Sequence, residues 1–417
     1  MAAVTWLVSD GSVQPTRTEW YKFRRYASWM RRLYFNSRFP EEVLRLISTN
    51  LPNGTLFPGL RDLSWVFQPH TLPFYRLFLS PRLTHLSLYY SPAFRARNAD
   101  EVFSSIASMI LELDTLPLQS FRLGCPTHVQ ASRSLESAVS SAVLRWGPSL
   151  TSLSVSVPLS DAAVQHILRL PNLTAWRPMD GPPRVPDLSL SDAFPRLENL
   201  VLETEESLQW LPFFEAAARR IAPEQETHTP PNRGPCQKLI ILECWVQDPV
   251  DIAFMTPITL FHGLINLTLV SYCSTMPGCI FSLTDDNIEK ITTALPRLSE
   301  AIFGRVCSAN SCRTTVSSLI SFSIHCKSLV YLEIHFNTTN LRSDLDSVST
   351  DPRLDNLPSF PEGEPFSLSL LDVPISISKE DIGPVARGFC RIFPQLERFE
   401  GIGTTVEELN RWLVDKE

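Results

Sequence analysis

Glycine is scarce in this sequence, with 15 residues among 417, and the phrases G-x-x-x-x-G-K-[ST], G-x-G-x-x-G, G-x-S-x-G and H-E-x-x-H do not occur. The first three phrases need glycines where the backbone approaches a phosphate or a nucleophile, and the fourth supplies two zinc-binding histidines and a general base. Charged residues make up only 19% and the net charge is -7, so the basic excess that favours nucleic acid or anionic membranes is also missing. These absences predict a nonenzymatic chain without cofactor or metal, whose partner is a protein rather than a nucleic acid or a membrane.

Cysteine usage argues against a disulfide framework. The nine cysteines are an odd number spread over a long chain, and Cys244 and Cys326 occupy apolar positions. Together with a start, Met1 to Val8, that lacks a basic region, this predicts reduced thiols and a cytoplasmic or nuclear location. Four cysteines can be imagined around zinc, but the spacing of at least one pair is too long, so structural thiols are favoured: Cys273, Cys279, Cys307 and Cys312.

A Pro or Cys followed by leucines spaced L-x-x-L-x-L recurs about a dozen times from residue 58 onward. The clearest copies begin at Pro81, Pro148, Pro195, Pro296, Cys326 and Pro394, and weaker ones begin at Leu60, Leu118, Leu173, Leu239, Leu264 and Leu368. This spacing predicts short strands whose leucines enter one core while the intervening residues face solvent. We therefore predict an α/β leucine-rich-repeat solenoid, a curved horseshoe with parallel strands on its concave face and helices on its convex face.

Helical patterns fill the gaps between these phrases. Ser160–Leu168 and Leu283–Ile291 begin with capping residues and acids and end before a proline, and Glu101–Leu113 and Leu135–Trp146 occupy equivalent places. The stretch 252–284 has no charged side chain, but prolines and glycines interrupt it, so a repeat is favoured over a membrane span. We expect residues 51–417 to form the repeat domain, with loop excursions near 222–235 and 343–364.

Residues 1–50 differ from the rest and are expected to form an N-terminal helical capping segment. Thr18–Phe35 combines aromatic residues at helical spacing, such as Trp20 and Phe23, with Lys22 and several arginines. The preferred interpretation is a helix whose aromatic face covers the first repeat while its cations stay in water. The alternative is a binding site for phosphate or nucleic acid.

Two phrases resemble the F-box/leucine-rich-repeat family, in particular its irregular fungal members. Leu283–Ile288 is similar to the family's "LTDxxL", and Cys326–Ile334 is similar to its "C-x-x-L-x-x-L-x-L", followed by Asn337 at the place of the repeat asparagine. The resemblance implies that the repeats select a substrate while an F-box binds the Skp adaptor of a cullin-containing SCF ubiquitin ligase. Phe39–Ile47 resembles the F-box opening "LPxEVLxxI", but a repeat begins again at Pro58. We therefore interpret 39–49 as a repeat helix, with the F-box degenerate here, lost, or encoded upstream.

The candidate binding surface is the concave face, read from the residue between the last two apolar positions of each strand. That row is small and basic in the first half and acidic in the second, with an apolar patch near Val201 and Ile302. The residues predicted to bind a protein target are Arg122, Arg177, Glu243, Trp245, Tyr331, Glu333, His335, Asp372 and Glu400. The predicted function is the substrate-selecting part of an F-box-type adaptor, and the alternative is a ubiquitin-independent scaffold or GTPase regulator.

Overall fold

The computed structural model describes residues 16–35, 41–51, 54–90, 99–124, 132–178, 196–203, 211–215, 239–246, 250–271, 282–303, 313–348, 351–355, 365–369, 377–401 and 404–415. The chain divides into two compact units, unit 1 with residues 1–186 and unit 2 with residues 187–417. Each unit is a parallel sheet whose strands follow one another in chain order, with helices in the connections.

In unit 1, each strand pairs in parallel with the next one along the chain: β1 Arg32–Phe35, β2 Asp62–Phe67, β3 His85–Tyr90, β4 Ser120–Gly124, β5 Ser152–Val155 and β6 Ala175–Pro178. Its α-helices are α1 Arg17–Ala27, α2 Glu41–Asn50, α3 Ala99–Glu112, α4 Arg133–Arg145 and α5 Asp161–Leu168. Short 3-10 helices cover Leu72–Leu77 and Leu113–Thr115.

In unit 2, the parallel strands are β7 Asn199–Glu203, β8 Ile241–Val246, β9 Asn266–Ser271, β10 Glu300–Phe303, β11 Tyr331–Ile334, β12 Phe366–Ser369 and β13 Leu396–Glu400. Its helices are α6 Ile252–Ile258, α7 Asp285–Ala294, α8 Val316–His325, α9 Leu341–Val348, α10 Ile382–Ile392 and α11 Thr404–Asp415. Residues 211–215 are also helical, and Pro352–Leu354 forms a 3-10 turn.

The leucines of the repeat phrase form the core, as the sequence predicts. Leu83, Leu86 and Leu88 are each at most 1% exposed. Burying each such side chain contributes about 1.5–3 kcal/mol to folding. On this buried side the strands pack on the helices, for example through the Phe303 and Phe322 rings, whose centroids lie 5.6 Å apart. The side chains that alternate with the buried ones lie on the opposite side of each sheet, which we call the open face.

Hydrogen bonds from three threonines link successive repeats of unit 1 just before a strand begins. The Thr84 hydroxyl donates to the Arg61 carbonyl at 3.1 Å, and Thr151 donates to Gln119 at 3.0 Å. Thr174 repeats the bond to the Thr151 carbonyl at 3.1 Å. All three follow the first leucine of a repeat phrase, so the phrase encodes a link between repeats as well as a core.

Helix α11 covers the edge of the last strand. The Asn410 side chain accepts from the Phe399 N–H and donates to the Phe399 carbonyl, both at 2.8 Å. Its amide therefore takes the place of a further strand and satisfies backbone groups that an edge would expose. Leu409, which is fully buried, and Val406 anchor the helix to the core.

The N-terminal segment differs from its prediction. The helix expected over 18–35 ends at Ala27, and Arg32–Phe35 forms strand β1 of the sheet. Pairing with β2 satisfies those backbone groups of the four residues that point toward β2, and Phe35 is buried while Tyr34 is 60% exposed. Ala27 is buried from α1, and Trp20 and Phe23 are half-buried. Tyr26, the third aromatic residue of the expected face, is 57% exposed.

The other helices form largely where the sequence pattern predicts them. Ser160 caps α5, and Thr284 forms a capping box with Asn287 at the start of α7. The uncharged stretch 252–284 begins with α6 and continues into β9. Within the described ranges, no helix is long and apolar enough to cross a membrane.

The loop excursions have different outcomes. The one expected at 343–364 is helical in its first part, since α9 extends to Val348 and a 3-10 turn follows. The buried Leu345 and Val348 explain this difference, because they anchor the segment to the core. Residues 356–364 and the excursion expected at 222–235 lie outside the described residues. The ordered strands, the helices between them and the leucine core define the leucine-rich-repeat solenoid fold.

Candidate protein-binding face

Strand register aligns the predicted positions into one row on the open face of each unit. In unit 1 the row is Tyr34, Ser64, Ser87, Arg122, Ser154 and Arg177. In unit 2 the row is Val201, Glu243, Thr268, Ile302, Glu333, Ser369 and Glu400. Apart from the position on β12, the rule that selected the residue between the last two apolar positions therefore identified neighbours across the strands.

One position of the unit 2 row was predicted from the wrong frame. Leu332 pairs with Leu368 and Glu333 pairs with Ser369, so Ser369 occupies the place that the sequence reading gave to Asp372. Asp372 itself lies outside the described residues. The second leucine of this repeat is Leu368, whereas the sequence reading took Leu368 as the first, which moved the frame by three positions.

Arg122 in unit 1 is held by an aromatic neighbour. Its guanidinium carbon lies 5.5 Å from the centroid of the Tyr89 ring on the preceding strand. A side chain at Gly124 would bring a Cβ atom to 3.2 Å from the Tyr89 ring. Glycine at this position therefore leaves room for that ring to pack beside Arg122. Arg122 and Arg177 are both half-buried. A cation–π contact of this kind orients the guanidinium and leaves its N–H groups available to an anion.

The unit 2 face contains a tyrosine and carboxylate cluster. The Tyr331 hydroxyl donates to Glu333 Oε2 at 2.9 Å. Burial raises the pKa of Tyr331 to about 12, and the carboxylates of Glu333 and Glu400 act in the same direction. The phenol is therefore a neutral donor at physiological pH, which favours a structural and recognition role over one as a base.

Two predicted binding residues are less accessible than the sequence suggests. Glu333 is 3% exposed and His335 is 2% exposed, although alternation on the strand places both on the open face. The His335 carbonyl accepts from the Thr314 hydroxyl at 2.5 Å, which ties this strand end to the segment before α8. Glu243 and Glu400 remain half-exposed in the same unit. We therefore expect Glu243 and Glu400, rather than Glu333, to make any direct contact with a partner.

Trp245 lies on β8, where its backbone pairs with Glu203 and Val270, and its side chain is outside the described part of the structure. The side chain of the repeat asparagine Asn337 satisfies a backbone group after strand β11, because its Oδ1 accepts from the Thr339 N–H at 2.9 Å. Sequence reasoning missed Tyr34, which belongs to the row only because β1 is a strand, and Tyr89, which supports Arg122.

Two of the three cysteines in the described ranges behave as core residues, and the third, Cys390, is half-exposed. Cys244 and Cys326 are buried, and burial raises the pKa of both thiols. The four cysteines considered for zinc lie outside the described residues, and within them no group of three or more potential metal ligands is found.

Comparison with known proteins adds a structural likeness only. No protein-family model matches the sequence, and no curated protein matches it. Among solved structures, the chain is similar to an internalin, inlF, from Listeria monocytogenes str. 4b F2365, with 11% sequence identity and a TM-score of 0.38. That alignment covers 93% of this chain and 87% of the internalin. The fold assignment rests on the strand ladders of the chain itself.

Proposed function

We propose that this protein is a nonenzymatic recognition module that binds a protein partner on the open faces of its strands. The observation that supports the proposal is the strand register, which gathers residues from positions 34 to 177 into one row in unit 1 and from positions 201 to 400 into one row in unit 2. Leucine-rich repeats leave such a row free of helices, so its side chains can vary with the partner without disturbing the core.

The charges of the rows indicate what the partner offers. The unit 1 row carries Arg122 and Arg177 and no acid, whereas the unit 2 row carries Glu243, Glu333 and Glu400. Complementarity favours an acidic segment of the partner on unit 1 and a basic segment on unit 2. Tyr34, 60% exposed at the end of the unit 1 row, is suited to be an aromatic anchor.

Site-specific photo-crosslinking tests the proposal. The crosslinking residue is placed at Ser64 or Thr268, which are half-exposed on the open faces, and at the matched control positions Ser104 or Glu289, which are exposed on helices. We expect one set of proteins to be captured from the open-face positions only. Capture from the helix positions alone would contradict the proposal.

Charge reversal then identifies the contacts. Arg122→Glu and Glu243→Arg each place an unfavourable charge on the row, so we expect each to reduce capture about tenfold or more, as for like charges brought together at an interface. Glu289→Arg on α7 changes charge equally but lies on the exposed helix surface, and should leave capture unchanged. Glu243→Arg and Glu289→Arg change the net charge by the same amount, so an equal loss with these two variants would show that net charge, and not position on the row, determines capture.

We further propose that this module selects the substrate of an SCF ubiquitin ligase. The resemblance of the repeat phrases to those of F-box proteins supports this role. The helix that carries the F-box-like phrase, α2, buries Val43, Leu44 and Ile47 in the core of unit 1. A Skp adaptor would therefore have to contact its exposed side, which includes Glu42 and Arg45.

A pulldown with purified Skp adaptor and cullin tests this role, using the intact chain and the surface variant Glu42→Lys with Arg45→Glu. Loss of binding in the variant would support a working contact on α2, and absence of binding by the intact chain would rule the ligase role out for this chain. The alternative scaffold or GTPase-regulating role would be recognised by stimulated GTP hydrolysis in a partner captured on the open faces.

A further inference from the structure

Helix α1 presents cations and aromatic rings in alternation along one exposed face. Arg17, Tyr21 and Arg25 are spaced four residues apart, so they lie one above the other on that face. Trp29 continues the line, because the guanidinium carbon of Arg25 lies 5.4 Å from the centroid of its ring. All four residues are exposed. We call these four residues the α1 stripe.

The segment around the stripe is basic, although the whole chain carries a net charge of -7. Residues 16–35 contain five arginines, one lysine and one acid, Glu19. Glu19 is held at the start of α1, where its Oε2 accepts from the Thr16 N–H at 2.7 Å and from the Thr16 hydroxyl at 2.8 Å. Since exposed charges are largely screened beyond about 8 Å at physiological salt, acids of distant repeats do not cancel this local excess.

The two arginines of the stripe are available to an outside anion. Among the described residues, the ion pair of this segment joins Arg32 to Asp62 at 3.7 Å, and neither Arg17 nor Arg25 forms one with a described residue. The contact with the Trp29 ring orients the Arg25 guanidinium without neutralising it. Binding an anion therefore does not require these cations to leave a protein carboxylate.

The rings beside these cations face solvent. Tyr21, Tyr26 and Trp29 are 70%, 57% and 58% exposed, and they are three of the seven exposed large apolar side chains among the described residues. Such clustering indicates an interaction surface, because exposed apolar side chains without a function are normally scattered. Met30 and Leu33 are half-buried, so between residues 16 and 35 the outward surface offers flat rings with polar tips and no exposed aliphatic chain to enter lipid.

We propose that the α1 stripe binds single-stranded nucleic acid, with Arg17 and Arg25 on phosphates and Tyr21 and Trp29 stacked on bases. A single strand presents charged phosphates and unstacked bases in alternation, which matches the alternation of cations and rings. A duplex keeps its bases stacked inside, and an acidic peptide would pair with the arginines while offering no flat group to each ring. The inference goes beyond protein recognition, because it uses a helix surface instead of the open faces.

Fluorescence anisotropy tests this binding on the full chain. The probe is a labelled uridine oligomer of about 12 nucleotides, within the range of about 4–16 nucleotides that single-strand binding sites cover. We expect binding at about 50 mM salt and a slope of log K against log salt of about -2 to -3, because each phosphate contact contributes about -0.7 and α1 can supply three or four. Binding of a thymidine oligomer of equal length then shows whether RNA or DNA is preferred.

Two kinds of variant separate stacking from charge. Tyr21→Ala should weaken binding about tenfold without changing the salt slope, as for loss of one stacked base. Tyr21→Phe keeps the ring and should bind as the wild type does. The double variant Arg17→Gln with Arg25→Gln should reduce the magnitude of the slope by about 1.4, since two phosphate contacts are lost.

Matched controls remove the same groups from other places. Tyr34→Ala changes a tyrosine that is also exposed but lies on the open face. The double variant Arg82→Gln with Arg169→Gln removes two exposed arginines outside α1. Both controls should keep the wild-type affinity and slope. A loss in the controls equal to that in the α1 variants, or unchanged binding in Tyr21→Ala, would overturn the assignment.

Competition tests the other possible occupants. Displacement of the probe by an oligoglutamate peptide or by phosphatidylserine-containing vesicles more effectively than by unlabelled oligomer would assign the stripe to an acidic protein or a membrane and overturn the proposal. Equal binding of a duplex of the same length, or no binding of the oligomer at about 50 mM salt, would also overturn it. Photo-crosslinking from Ser64 and Thr268 does not depend on α1, so failure here leaves the open-face function unaffected.

Discussion

Gly388 shows at the scale of one residue how closely successive repeat helices approach. A Cβ atom at this position of α10 would lie 2.9 Å from Cβ and 3.0 Å from Cδ2 of Leu345 on α9. The first contact involves an atom fixed to the backbone, so the helices themselves would have to move apart. The glycine therefore allows the close packing of two helices and is kept despite its low helix propensity.

We predict that Gly388→Ala destabilises the protein by about 1 kcal/mol, since overpacking costs about 1–3 kcal/mol and alanine recovers about 1 kcal/mol of helix propensity. The matched control is Gly147→Ala, where nothing lies within 4 Å of the added Cβ, and this change should be neutral or slightly stabilising. Urea unfolding followed by circular dichroism measures both. A Gly388→Ala midpoint at or above that of Gly147→Ala would contradict the described packing.

The buried thiol of Cys326 makes the stability of the protein depend on pH. The thiol is fully buried, and burial raises its pKa to about 12, whereas an unfolded thiol ionises near pH 8.5. The stabilising effect of keeping this thiol neutral is therefore fully present below about pH 8.5 and is lost as pH rises toward 12. At about pH 8.5, iodoacetamide should leave Cys326 unmodified in the native protein and modify it in concentrated urea.

Peptide mass spectrometry measures this labelling, and the half-exposed Cys390 supplies the internal comparison. Because only the thiolate reacts, Cys390 should react faster than Cys326 in the native protein. Equal native rates for the two cysteines would show that the repeat around Cys326 opens far more often than its burial implies.

At the scale of the element, Asp285 joins two successive helices. From the first turn of α7 its Oδ1 accepts from the Thr315 N–H at 2.8 Å, and its Oδ2 accepts from the Thr315 hydroxyl at 2.7 Å. The Ser318 hydroxyl on α8 also donates to Oδ1. One carboxylate therefore stabilises the start of its own helix and satisfies donors at the start of the next.

We predict that Asp285→Ala destabilises the protein by about 2 kcal/mol or more, because hydrogen bonds to a charged group contribute about 1.5–3 kcal/mol and their partners are left unsatisfied. Asp286→Ala is the matched control, since Asp286 is an exposed acid of the same helix turn and should cost below about 1 kcal/mol. Thermal unfolding compares the two variants. Similar losses would mean that the helix dipole, rather than the bridge, explains the role of Asp285.

Most strands could be predicted from the sequence, but β1 and the frame of β12 could not. Strands β3, β5, β10 and β11 were predictable because their leucine phrases specify both the core and the frame. Strand β1 was missed because Arg32–Phe35 lies in an aromatic and basic run without that phrase, and only pairing with β2 reveals it. The frame at β12 was misread because Leu368 begins an accidental second phrase, and the pairing with Leu332 decides between the two.

The candidate site was predictable in position but not in accessibility. Register rows follow from the repeat phrase, so Arg122, Arg177, Glu243 and Glu400 were identified from the sequence. The burial of Glu333 depends on side chains of other repeats, which no local pattern encodes.

At the scale of the whole molecule, each repeat contacts mainly the repeats beside it. Within each unit, the described strands are paired with their neighbours in chain order. In such a linear arrangement stability is close to a sum of repeat and nearest-neighbour contributions, so damage should stay local. A binding face built this way can change in one repeat while distant repeats retain their structure.

Leu332→Ala tests this property by hydrogen exchange. Leu332 on β11 is fully buried, so its truncation should cost about 2–5 kcal/mol locally and lower protection of β11 about 30-fold or more. We expect the neighbouring strands β10 and β12 to lose protection as well, while β2 and β3 in unit 1 remain at wild-type values. Leu86→Ala on β3 is the matched control and should produce the mirror-image pattern. An equal loss of protection in every strand for either variant would contradict this expectation, because it would show that the repeats unfold together as one cooperative body.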